Sequence, residues 1–138
     1  MPNDEGNVNN RTGPFPIRGV HMSRGKVALF AFTGERPCFI HVMLNALDLK
    51  ERGYEVKVVI EGAAAGLVKE LPEADPPLGT LYQRIQEEGL LDCVCQACAH
   101  QMTSLESAKE QGLALCAEMS GHPAMGRYID DGYTIITF

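Results

Sequence analysis

Between Cys93 and His100 the chain places three of its five cysteines and one histidine within eight positions, Cys93-Val94-Cys95-Gln96-Ala97-Cys98-Ala99-His100. Thiols and an imidazole at this density can do two kinds of chemistry. A thiolate attacks sulfur, and it also binds soft or borderline metal ions. The segment opens as an apolar run, Leu90-Leu91, entered from Glu87-Glu88-Gly89, and reads as a buried β-strand following a helix C-terminus. Cys93 and Cys95 share one face of that strand by its period of two. Beyond Cys95 the residues Gln96, Ala97, Ala99 and Gln101 are better helix than strand formers, so strand gives way to helix between Cys95 and Cys98. A helix N-terminus stabilises negative charge, and the expected thiol pKa there lies below the usual value of about 8.5.

These residues support three readings. In the first, Cys95 is a nucleophile that carries a persulfide, and Cys98 assists it, resolves it by disulfide formation, or shares the sulfur. Cys93, His100 and Cys38, the last near the start of another helix, are possible auxiliaries. In the second, Cys93, Cys95, Cys98 and His100 hold zinc, although C-x-C-x-x-C-x-H is tighter than the usual two separated ligand pairs. In the third, the C-x-x-C belongs to an oligomeric module or a thiol redox sensor without catalysis. Cys38 and Cys116 also fit simple packing, as free cysteine is a common core residue. His41 reads as an ordinary surface or packing histidine.

The rest of the chain bounds these readings. Its 138 residues allow one α/β domain and hardly two. The formal net charge of -6, spread along the chain, argues against a nucleic-acid partner, which would need clustered Lys and Arg. No apolar run approaches the roughly 20 residues of a membrane span, and the polar start is unlike a signal peptide, so a cytoplasmic location is expected. In that reducing compartment no structural disulfide framework is expected. Neither a G-x-G motif nor a P-loop is present, and no cofactor is expected.

Residues 1–25, rich in Asn, Gly, Pro and charge, read as a flexible N-terminal arm, and 26–138 as the domain. Val27 to Phe32 is a continuous apolar strand of the kind covered on both faces. Thr33-Gly34-Glu35-Arg36-Pro37 breaks it, and Phe39, Val42, Met43, Ala46 and Leu47 follow helical spacing up to Gly53. Tyr54 to Ile60 is a β-branched second strand. Glu61 to Leu71 reads as a short helix, 73–79 as a proline-rich loop, and the segment opened by Thr80 as the helix leading to the cysteine strand. After it come a capped helix from Thr103, a strand at Leu113 to Ala117, a helix over Ser120 to Asp130 interrupted near Gly121-His122-Pro123, and a last strand from Tyr133 to Phe138. Repeated β-α order predicts a three-layer α/β/α fold, flavodoxin-like, around a mainly parallel sheet of about five strands.

With this order of elements, the C-x-x-C of Cys95 and Cys98 after an apolar strand and the closing Asp130-Asp131-Gly132-Tyr133-Thr134-Ile135-Ile136-Thr137-Phe138, the stretch from Lys26 to Phe138 resembles the DsrE-like family of intracellular sulfur-relay proteins. The resemblance implies a persulfide on a cysteine at the end of the third strand, matched here by Cys95 and secondarily by Cys98. It also implies trimeric or hexameric self-assembly and exchange of sulfur with donor and acceptor proteins. Two departures stand out: Met102 occupies a position where many members have glycine, and Cys93 is an addition.

Overall fold

A computed structural model describes residues 24–138. The reading of a flexible arm falls almost wholly on residues 1–23, outside the described residues. The elements in chain order are β1 (Lys26–Ala31), α1 (Arg36–Glu51), β2 (Glu55–Ile60), two 3-10 turns (Gly62–Leu67 and Leu71–Glu73), α2 (Leu78–Glu87), β3 (Leu91–Cys95), α3 (Gln96–Gln101), α4 (Leu105–Glu110), β4 (Leu115–Cys116), α5 (Met125–Asp130) and β5 (Tyr133–Thr137). All five strands are parallel, in the order β4-β3-β2-β1-β5. Helices cover both faces, which is the expected three-layer α/β fold.

The central strand explains why. Every residue of β1 from Val27 to Ala31 is buried, and alternate side chains enter opposite cores. Val27, Leu29 and Ala31 join Phe39, Val42, Met43, Ala46 and Leu47 of α1 and Leu81, Tyr82 and Ile85 of α2 in the larger core. Ala28 and Phe30 face a smaller core with Val59, Cys93, Cys116, Tyr128 and Tyr133, roofed by the six-residue α5. Phe30 and Tyr128 meet edge to face at 5.2 Å between centroids, an arrangement aromatic quadrupoles favour.

Local chemistry accounts for the departures from expectation. Gly62-Ala63-Ala64-Ala65-Gly66-Leu67 winds as 3-10 turns rather than an α-helix, since two glycines weaken a six-residue helix that is already too short to propagate well. The fourth strand shrinks from the expected five residues to Leu115 and Cys116, paired with Val94 and Cys95. The helix expected from Ser120 begins only at Met125. Ser120 and Gly121 both adopt positive φ, and Met119 and His122 form an isolated antiparallel bridge, so a tight turn replaces the first helical turn. Among the described residues no helix is long and apolar enough to cross a membrane.

Candidate functional site

Two registers bring the chemistry together at the carboxyl edge of the sheet. Ile60 pairs with Val94, which places Glu61 beside Cys95 where β2 and β3 end. Cys95 pairs in turn with Cys116, and the turn after β4 brings His122 back over the end of β3. That turn is tied to α3, because the Ala97 N–H donates to the Gly121 carbonyl at 2.9 Å.

Cys95 is both the last residue of β3 and the N-cap of α3. Its Sγ accepts the Cys98 backbone N–H at 3.4 Å and donates toward the Gly121 carbonyl at 3.5 Å. His122 Nδ1 lies 3.2 Å from Cys95 Sγ and 3.7 Å from Cys98 Sγ. Glu61 Oε1 is 3.9 Å from the same nitrogen. Cys95 is fully buried, while Cys98 and His122 are partly exposed. The site is therefore two free thiols and a carboxyl group around one imidazole nitrogen, with a route to solvent through Cys98.

The electrostatics reverse one expectation. Burial pushes the Cys95 thiol up to about 12, and the Cys98 N–H only partly opposes it. Desolvation outweighs the helix N-terminus because α3 spans six residues, and one long sulfur hydrogen bond cannot replace lost hydration. Glu61 also sits above its ordinary value, through burial first and with His122 opposing. Burial thus disfavours the charged form of both acidic groups.

Cys93 does not belong to this site. It forms a disulfide with Cys116, the Cα atoms 5.8 Å apart. This corrects three expectations: an auxiliary thiol or metal ligand at Cys93, simple packing at Cys116, and the absence of a structural disulfide. Strand alternation aims Cys93 and Cys116 into the same small core, where β3 and β4 pair only across Val94/Leu115 and Cys95/Cys116. His100 is exposed on α3, beside Gln96 and Gln101 in a shallow depression. Cys38 is free and half-buried in the first turn of α1. Neither His100 nor Cys38 joins the cluster, so the set Cys93, Cys95, Cys98 and His100 is not assembled. The groups of three or more potential ligands among the described residues are Cys95, Cys98 and His122, and Asp92 with the bridged pair Cys93 and Cys116.

His122 and Glu61 escaped the sequence reading. Gly121-His122-Pro123 registers there only as a break in a helix. Glu61 carried a usable signal, because it follows directly on the β-branched run ending at Ile60, and ligands of open parallel sheets gather at strand carboxyl ends.

No family model matches the chain, and no solved structure matches it. Two uncharacterized proteins of Archaeoglobus fulgidus resemble shorter stretches. One is 44% identical over 43 residues, 31% of this chain and 70% of the relative; the other is 40% identical over 37 residues, 27% of this chain and the whole of the relative. The uncharacterized protein MJ0733 of Methanocaldococcus jannaschii is 35% identical over 100 residues, which cover 72% of this chain and 79% of that protein. At that identity and coverage the chain belongs to one family with MJ0733.

Proposed function

We propose that this chain is a sulfur-relay protein of the DsrE-like type, which takes sulfane sulfur from a donor protein onto the Cys95/Cys98 pair and delivers it to an acceptor. The observation that carries the reading is the pair of free thiols sharing His122 Nδ1, at 3.2 and 3.7 Å, on the carboxyl edge of a parallel sheet. Cys98, the partly exposed thiol, meets the donor. It passes its proton to His122 and attacks the outer sulfur of a donor persulfide, R–S–S–H. The donor S–S bond breaks, R–S leaves with its electron pair and takes up a proton, and Cys98 becomes the persulfide. Cys95 then takes the outer sulfur by the same exchange and holds it away from water until an acceptor docks. Self-assembly into a trimer or hexamer and a cytoplasmic place of work complete the reading, on the strength of the family resemblance.

The test loads reduced protein with cysteine persulfide and weighs its peptides. One added sulfur atom is expected on residues 85–109, the tryptic peptide containing both thiols. Equal loading in a Cys95→Ser, Cys98→Ser double variant would end the proposal.

A second reading has its own support. Zinc bonds of about 2.3 Å to sulfur and about 2.0 Å to nitrogen, at tetrahedral angles, set sulfur and nitrogen about 3.6 Å apart. The two distances in the site lie on either side of that value. Cys95, Cys98 and His122 would be the ligands, with Glu61 beside the fourth position. Stoichiometric zinc that blocks alkylation of Cys95 and Cys98 would favour it over sulfur relay, which needs an open thiol.

A further inference from the structure

We propose that the Cys93–Cys116 disulfide is the internal electron acceptor of the Cys95/Cys98 dithiol, so that the chain carries out dithiol–disulfide exchange within itself. Cys95 stands in register with Cys116 across β3 and β4. Neighbouring strands run about 4.8 Å apart, inside the Cα separation of about 4.4–6.8 Å that disulfides span. Cys95 lies two residues beyond Cys93 and so projects to the same face of β3, the face that carries the bridge. Cys116 thus has two cysteines beside it on β3, Cys93 diagonally, to which it is bonded, and Cys95 directly opposite in register. Cys95 likewise has two, Cys116 and Cys98.

The surroundings of the bridge fit a reacting bond better than an inert staple. The Tyr128 hydroxyl, which donates to Asp92, lies 3.5 Å from Cys93 Sγ. Arg127 donates to the Tyr128 oxygen at 2.9 Å and reaches Cys116 Sγ at 3.8 Å. Cys116 therefore has a guanidinium hydrogen at hand when it leaves as a thiolate, and a stabilised leaving thiolate departs faster, while the Tyr128 oxygen beside Cys93 can accept from that thiol once it is protonated.

The exchange balances without any added reagent. Cys95 gives its proton to His122 and attacks Cys116 Sγ. The Cys93–Cys116 bond breaks, and Cys93 leaves with the electron pair beside Tyr128 and takes up a proton from solvent. Once His122 has released its proton, Cys98 passes its own to the imidazole and attacks Cys95 Sγ. The Cys95–Cys116 bond breaks, and Cys116 leaves beside Arg127 and is protonated in turn. Two thiols have been oxidised to Cys95–Cys98, and one disulfide has been reduced to two thiols.

Cys98→Ser protein halts this sequence after its first step and makes it visible. The full chain, oxidised at Cys93–Cys116, is incubated anaerobically with no reductant or sulfur donor and quenched in acid. Free thiols are alkylated, the bridges reduced and the released thiols marked with a second reagent. Trypsin leaves Cys93, Cys95 and Cys98 on one peptide, residues 85–109, so the labels are read from fragment ions. The number of free thiols stays constant while their position shifts from Cys95 to Cys93. Cys93 alkylation is expected to rise about tenfold above that of a Cys95→Ser variant, at a rate independent of protein concentration, and wild type is expected to contain Cys95–Cys98 bridges. Serine at position 95 can still accept the Cys98 N–H, so that variant keeps the cap. Equal Cys93 labelling in the two variants, or transfer that scales with concentration, overturns the proposal. No sulfur donor enters the experiment, so its outcome is separate from that of the loading test.

Discussion

At the scale of single residues, burial outweighs helix position in setting the acidity of the Cys95 thiol. Cys95 occupies the N-cap of α3, yet it is fully buried and its thiol is raised to about 12. Cys98, three residues on, keeps a path to solvent. Iodoacetamide at neutral pH should therefore modify Cys98 well before Cys95. In a Cys93→Ser, Cys98→Ser, Cys116→Ser variant, where Cys95 has no disulfide to exchange with, the Cys95 rate should climb about tenfold per pH unit across the alkaline range, as its thiolate fraction does; a plateau already reached near pH 9, read by mass spectrometry, would mean that the thiol titrates normally. In the proposed relay His122, whose Nδ1 lies 3.2 Å from Cys95 Sγ, is the proton acceptor that a buried thiol requires. Its replacement by Ala should slow persulfide loading by about a hundredfold, the lower range for loss of a general base; a loading rate within a factor of about three of wild type would exclude that role. The thiols themselves are plain in the sequence, because C-x-x-C is a local pattern. Their imidazole is not, because His122 is 24 residues from Cys98 and the contact exists only once β4 is laid beside β3.

At the scale of elements, the site depends on a turn that no periodicity reveals. Gly121 has φ +90°, and a Cβ there would stand 3.0 Å from Ala97 Cβ. Its carbonyl receives both the Ala97 N–H and the Cys95 thiol. One residue thus fastens the His122 turn to the start of α3, and glycine is needed for both the angle and the close approach. Gly121→Ala should cost about 1–3 kcal/mol of stability and move His122 away from the thiols. Chemical denaturation measures the first effect; a Cys95 alkylation rate that loses its sensitivity to His122 substitution measures the second. An unchanged denaturation midpoint would show that the turn relaxes freely. The long elements were readable in advance for the opposite reason. β1, β2 and α1 each carry enough apolar residues at one spacing to declare themselves, whereas β4 has two residues and the 3-10 turns follow no helical period.

For the molecule as a whole, parallel order and helices on both faces follow from the alternation of strands and helices along the sequence. The inequality of the two cores does not. It arises because α1 and α2 cover one face while the six-residue α5 covers the other. The edge strand β4 turns Cys116 into that smaller core, and the Cys93–Cys116 bridge joins it to β3 across a sequence separation of 23. Sequence alone could not pair these cysteines, as the pairing depends on a register between strands brought together only by the fold. A bridge closing a loop of this size removes chain entropy from the unfolded state worth about 3 kcal/mol, against a total stability of about 7–20 kcal/mol for a chain of this length. Arg127 and Tyr128 stand close enough to hydrogen-bond serine hydroxyls in place of the sulfurs, so a Cys93→Ser, Cys116→Ser double variant should fold. It should unfold at a lower guanidinium midpoint, less stable by about 3 kcal/mol than the oxidised protein, with a larger denaturant slope because the unbridged chain expands further. Amide exchange should accelerate most in residues 113–122, the strand and turn that the bridge secures, and much less in β1 and β2 at the centre of the sheet. If the oxidised protein and the double variant share one midpoint and one exchange pattern, the bridge contributes nothing to global stability, and β4 is held by its two strand pairs and the Gly121 contacts alone.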